Sequence, residues 1–175
     1  TGANFDNAVN DMKTKLGANP VPILIPLGRE DYLKGQLDIV NQKATIYTDD
    51  DKFGSSYKVE AIPAEEADKA KAALDFLIEK LADVDDVIAE MYLEGKTVTP
   101  QDIKPALRRA TIANKIVPVV GGSAFKNKGV QRLLDSVVDY LPAPTEVPPI
   151  QGTTVNGETV ERFADNDRTD VWALL

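Results

Sequence analysis

The run Ile116-Val117-Pro118-Val119-Val120 passes directly into Gly121-Gly122, and an amphipathic stretch from Val130 to Tyr140 follows. A short apolar run ended by glycine reads as a strand buried in a sheet. Leu133, Leu134, Val137, Val138 and Leu141 fall on one face of the helix expected next. Strand, tight loop and helix together are the repeating unit of an α/β sheet, and ligands of such sheets bind in the loops after the strand C-termini. Small residues in the loop let backbone N–H groups come close to a ring edge. On geometry alone, an ordinary strand-to-helix turn describes residues 121–129 equally well.

Upstream, Phe5, Val9, Met12 and Leu16 lie on one helical face, with Asn4 as N-cap and Gly17 as the stop. Val21 to Leu27 reads as a strand, Leu33 to Tyr47 as a second and third, and Tyr57 to Ala61 as a fourth. Pro63 opens a helical region in which Ala67, Ala70, Leu74, Leu77 and Leu81 repeat at helical spacing. Val84, Val87, Ile88 and Met91 continue that pattern to Gly95. Thr99-Pro100-Gln101-Asp102 is a strong helix start, and Pro105 predicts a kink or a restart inside that helix. The proline-dense segment 142–149 reads as a stiff linker and a domain boundary, with a β-rich module after it.

The chain has no Cys and no His, which removes disulfides, thiolate metal sites, imidazole bases and Ser-His triads. A net charge of −8 argues against independent phosphate-backbone binding. No apolar run is long enough to span a membrane. Gly95-Lys96-Thr97 lacks the upstream glycine and the preceding strand of a phosphate loop, so it reads as a helix C-cap. Asp165 to Asp170 lacks the glycine and the distal Glu of a calcium loop, and Asp49-Asp50-Asp51 reads as a solvated turn. Glu79, Asp83, Asp86 and Glu90 at i, i+4, i+7 and i+11 predict one acidic helical face. That face is either solvated or a docking stripe for a basic helix, and the residues by themselves favour the first.

Several phrases resemble one family. Thr1-Gly2-Ala3-Asn4-Phe5 is similar to the segment after the Asn-Lys-x-Asp motif of bacterial-type translation elongation factor G. Lys15 to Pro22 resembles the family's next stretch, and Gly122-Ser123-Ala124-Phe125-Lys126-Asn127-Lys128-Gly129-Val130-Gln131 its last guanine-recognition motif. Leu133 to Pro144 is similar to its final GTPase-domain helix and linker.

The resemblance implies an α/β fold with an α+β insertion: a partial P-loop-GTPase-type parallel sheet, an inserted strand-and-helix subdomain, and the first strand of a β-barrel. Residues 1–17 and 115–141 would belong to the GTPase domain, 18–114 to the G-prime insertion, 142–149 to the linker and 150–175 to domain II. Ser123 and Ala124 would face guanine, with Phe125 and Lys126 completing the motif. Glu79, Asp83, Asp86 and Glu90 would offer their charge to the C-terminal domain of the ribosomal stalk protein. The parent would be a cytoplasmic, ribosome-activated GTPase using GTP or GDP with magnesium and touching ribosomal RNA.

The phosphate loop, the switch regions and the Asn-Lys-x-Asp motif would precede Thr1. This piece alone is therefore expected to bind no nucleotide and to catalyse nothing. The alternatives are a free-standing stalk-binding module, or a fragment of a release-type or ribosome-protection-type relative. Helix Phe5–Leu16 and strand Ile116–Val120 are expected to leave apolar surface exposed, with self-association as a consequence.

Overall fold

The computed structural model describes residues 2–48, 54 and 56–164. The Asp49-Asp50-Asp51 turn and the segment from Asp165 to Leu175, with its acidic turn and terminal apolar run, lie outside the described residues. Two compact units are present, Thr1–Leu141 and Pro142–Leu175.

The first unit is a mixed α/β arrangement. Helix α1 (Phe5–Leu16) begins where the Asn7 N–H donates to the Asn4 side chain at 3.0 Å and ends at Gly17, whose φ is 62°. Strands β1 (Pro20–Leu27), β2 (Gly35–Asp38), β3 (Lys43–Tyr47) and β4 (Tyr57–Ala61) form an antiparallel run. Strand β5 (Val117–Val120) adds to the other side of β1 in parallel, giving the order β4-β3-β2-β1-β5. Prolines are unusual in a central strand because they cannot donate to the ladder. In β1 the register to β5 shifts between Pro22 and Leu24, and Pro26 lies past the last paired residue of β5.

Helices α2 (Ala67–Ala82), α3 (Asp86–Leu93) and α4 (Pro100–Ile112) cover this sheet, with α2 packed on β1, α3 and α4. Their apolar stripes supply the core: Ala70, Leu77, Leu81, Ile88, Ile103, Ala106 and Leu107 close over Val21, Ile23, Leu37 and Ile39. Helix α5 (Val130–Tyr140) packs on α4. Among the described residues the second unit holds one hairpin, β6 (Ile150–Thr153) with β7 (Thr159–Arg162). A single 3-10 turn at Pro144–Glu146 interrupts the segment expected to be a uniformly extended linker.

Four expectations change. Helix α4 runs unbroken through Pro105, with no restart. The missing proline N–H removes one backbone bond, but burial of Ile103, Ala106, Leu107 and Ala110 on the same helix holds it in place. Glu79, Asp83, Asp86 and Glu90 do not share one helical face. Helix α2 stops at Ala82, and Asp85 caps a new helix through the Ile88 N–H at 3.2 Å. Arg109 pins Asp85 there, with its Nε 2.9 Å from Oδ2. Strand β5 is only partly covered, with Val117 exposed and the rest half-buried, so the enclosed strand read from its apolar run is not seen, whereas the exposed apolar surface expected of it is.

The fourth change concerns α5, which turns its expected apolar face outward. Leu134 is 59% and Val138 77% exposed, while Tyr140 is the helix's buried residue. Arg132 and Ser136, at i and i+4, lie half-buried on the turns before Tyr140. Arg132 pairs with buried Asp38 of β2. The exposed surface expected of α1 is also present: that helix has no fully buried residue.

Two measurements follow. Leu107→Ala is expected to lower unfolding free energy by about 2–5 kcal/mol, and Leu134→Ala to change it by less than about 0.5 kcal/mol, by urea titration. Asp102 accepts from the Thr99 hydroxyl at 2.6 Å and the Thr99 N–H at 2.9 Å, and these bonds hold its carboxyl below the usual value. A depressed native value stabilises above the unfolded pKa and is lost as pH falls through the native one. Thr99→Ala is therefore expected to lower Tm at neutral pH, with a deficit that shrinks once the pH drops below about 4.

Candidate purine-edge loop and its cleft

Strand β5 ends at Val120, and the chain turns through Gly121 to Gly129 before α5 begins. Within that turn Ser123 and Lys128 form a small antiparallel bridge: the Ser123 N–H donates to the Lys128 carbonyl at 2.8 Å, and the Lys128 N–H to the Ser123 carbonyl at 3.0 Å. The Asn127 N–H closes on the Ala124 carbonyl at 3.1 Å, and the Lys126 N–H lies 3.3 Å from Ser123 Oγ. The loop is thus a miniature hairpin with Ala124 and Phe125 at its tip. Neither the Ala124 nor the Phe125 N–H has an acceptor among the described residues. Phe125 is fully exposed.

The glycines here have a reason that the sequence reading missed. A side chain on Gly122 would meet the Lys128 carbonyl oxygen at 2.7 Å, so glycine is required for the loop to close on itself. Gly129 has a φ of 98°, and a Cβ there would lie 2.5 Å from Gln36 Nε2. Close approach within the chain thus adds to the close approach to a ligand expected from the sequence.

A cleft of about 740 Å³ opens beside the loop. Its walls are the first turn of α1 (Asn4, Phe5, Asp6), the end of β1 (Ile25, Pro26, Gly28), Arg29, Glu30 and Leu33, and the stretch Val120–Ser123. Glu66 and Lys69 close one side. The cleft therefore sits at the carboxyl ends of the parallel pair β1 and β5, where open α/β sheets hold ligands. Of the four residues of the expected base-edge motif, Ser123 lines it, and Ala124, Phe125 and Lys126 are not among its lining residues. Lys126 Nζ reaches back to the Glu30 carbonyl at 3.2 Å and to Asp31 Oδ1 at 3.1 Å.

The remaining candidates are elsewhere. Glu79, Asp83, Asp86 and Glu90 are all exposed, on α2, the α2–α3 turn and α3. Asp83 is partnered by Lys80 at 3.3 Å. Gly95-Lys96-Thr97 follows α3: Gly95 has a φ of 66°, and the Lys96 N–H returns to the Met91 carbonyl at 2.9 Å, as at a glycine-terminated helix end. Among the described residues no group of three or more acidic side chains converges in a metal-binding arrangement. Sequence reasoning missed Gln36 and Tyr47, whose side chains reach the loop's two ends. Their strand patterning carries no sign of that.

Gly129→Ala is expected to destabilise the protein more than Gly17→Ala. Both positions have positive φ and incur the strain of about 1–2 kcal/mol for a residue with a Cβ, but Gly17 has nothing within 4 Å. Thermal unfolding of the two variants measures the difference.

No protein-family model matches the chain. A crystal structure of a protein from Thermus thermophilus is similar in fold, with a TM-score of 0.70 and 27% sequence identity. The match covers 85% of this chain and 22% of that one, so the chain spans about a fifth of that protein's length. This chain shares its fold with one part of a considerably longer protein.

Proposed function

We propose that this chain is a segment of a ribosomal translocation GTPase of the elongation factor G type, and that loop 121–129 supplies its contact with the guanine edge. The observation carrying this reading is the pair of amides at Ala124 and Phe125, which have no internal acceptor among the described residues and sit at the tip of a closed hairpin beside the cleft. Such N–H groups suit a ring carbonyl oxygen. The match of Gly122 to Gln131 with the family's last guanine motif supplies the identity of the ring.

The residues fit the purine end of a nucleotide and not its phosphate end. The sequence carries no glycine-rich loop with the lysine and hydroxyl that hold phosphates and magnesium. Phosphate binding, the attacking water and the chemistry of hydrolysis would come from the remainder of a longer protein, with this chain orienting the base. The P-loop-type sheet and the β-barrel continuation belong to the same proposal, as does its place in the cytoplasm.

Exposed Glu79, Asp83, Asp86 and Glu90 support a second role, docking a basic partner such as the stalk protein's C-terminal domain. Their spread over two helices makes the surface a patch rather than a stripe. Charge reversal at Asp83 and Asp86 is expected to abolish stalk-dependent shifts in an NMR titration of this chain. Unchanged shifts would remove the docking role.

Ala124→Pro deletes one amide donor without adding charge. In the full-length protein it is expected to weaken GDP binding roughly tenfold, the worth of one hydrogen bond, and to slow ribosome-stimulated GTP hydrolysis at limiting nucleotide. Undiminished GDP affinity overturns the base-edge role. Calorimetry of the 175-residue chain alone is expected to detect no micromolar GDP binding; micromolar binding overturns the division of labour.

A further inference from the structure

Each end of loop 121–129 is held by one side chain from the neighbouring antiparallel strands. Gly121, where β5 ends, accepts a hydrogen bond on its carbonyl from Gln36 Nε2 of β2. Gln36 is 2% exposed, and its amide fills the space under Gly129. Gly129, where α5 begins, donates its N–H to Tyr47 Oη of β3 at 2.7 Å. Tyr47 is 4% exposed, and its hydroxyl lies 3.4 Å from Gln131 Oε1, while Gln131 Nε2 donates to the Gly54 carbonyl at 3.2 Å. Lys128 Nζ adds a third tie, to the Leu33 carbonyl at 2.9 Å.

The Ser123–Lys128 bridge makes the tip of the loop a stiff unit, so its position follows from where Gly121 and Gly129 are fixed. Resting on the reading of this loop as the purine-edge contact, we infer that Gln36 and Tyr47 are positioning residues for the Ala124 and Phe125 amides. Strands β2 and β3 thereby set how well the base edge is read. Neither side chain bonds the tip itself: Gln36 holds the Gly121 carbonyl and Tyr47 the Gly129 N–H, at the two ends of the loop. They act through backbone groups on either side of it. A shift of about half an ångström in the hairpin is enough to spoil an amide-to-oxygen bond. Tyr47 is suited to this task because a phenol packed in the core can accept from a buried N–H without carrying charge.

Purine analogues separate positioning from general stability. GDP presents the ring carbonyl oxygen, whereas the diphosphate of 2-aminopurine riboside lacks it and the N1 proton but keeps the 2-amino group and both rings, so each variant is compared with wild type on the same nucleotide. Binding of both to the full-length protein is measured for wild type, Tyr47→Phe and Gln36→Leu, with thermal melts confirming that each variant is folded. Tyr47→Phe retains the ring, including its contact with the Tyr57 ring at 5.7 Å between centroids, and removes only the hydroxyl. Tyr47→Phe is expected to weaken GDP about tenfold while leaving the 2-aminopurine analogue within about twofold, and Gln36→Leu to act in the same direction. If wild type binds no GDP, the reading of the site falls and the positioning role falls with it. If wild type binds GDP and both variants weaken the two nucleotides equally, or weaken neither, the site stands and the positioning role is overturned.

Discussion

The parallel pairing of β1 with β5 organises the first unit. It joins Pro20–Leu24 to Val117–Val120, residues almost a hundred apart in sequence. Asn19 secures the entry, its carbonyl accepting from the Val117 N–H at 2.9 Å and its side-chain amide donating to the Lys115 carbonyl at the same distance. The Gly121 N–H closes the far end on the Leu24 carbonyl, also at 2.9 Å. Parallel strands require a long connection between them. Here that connection carries β2, β3, β4 and three helices, and those helices roof the sheet they interrupt. Without the β1–β5 pair the loop after β5 has no place beside α1, and the cleft does not exist.

Helix α5 illustrates the cost of reading burial from one helix at a time. Its most apolar face points outward, and the side next to the strands carries Arg132 and Tyr140. The Arg132 guanidinium pairs with Asp38, a carboxylate that also accepts from the Asn41 side chain at 2.8 Å. A charge pair set against the strands is held by geometry and opposite charge, not by the apolar pattern that a periodicity search detects. Tyr140 extends this environment: burial pushes its phenol well above the ordinary tyrosine range, keeping it neutral against the neighbouring carboxylates.

Local signals are legible where local chemistry decides. The limits of α1, β4 and α5 follow from caps, alternation and glycine stops, and the Thr99–Asp102 start of α4 is visible as a four-residue pattern. The acidic run misleads because Asp85, which breaks it, looks in sequence like one more carboxylate on a helix. Its Oδ1 caps α3 through the Ile88 N–H, and Arg109, twenty-four positions later, holds its other oxygen in place. Pro105 does not restart the helix, because the burial that keeps α4 continuous through it is not a property of its neighbours in sequence. The candidate loop stands out as a motif, yet Gln36 and Tyr47 are invisible as parts of it, since each lies on a strand whose register to the loop is a tertiary fact.

The sequence by itself determined most of the elements, their order and the chemistry that is excluded: with no His and no Cys, and with small residues after a short apolar strand, a backbone-lined loop was the best site on offer. Tertiary structure alone decided which side of α5 is buried, that the acidic residues divide between two helices, and that β2 and β3 hold the loop from both ends. The physical reason is the range of the interactions. Caps, glycine conformations and side-chain periodicity act within a few residues and are written in order along the chain. Sheet register and buried pairing join residues 80 to 100 positions apart, and nothing in the spacing of either partner announces the other.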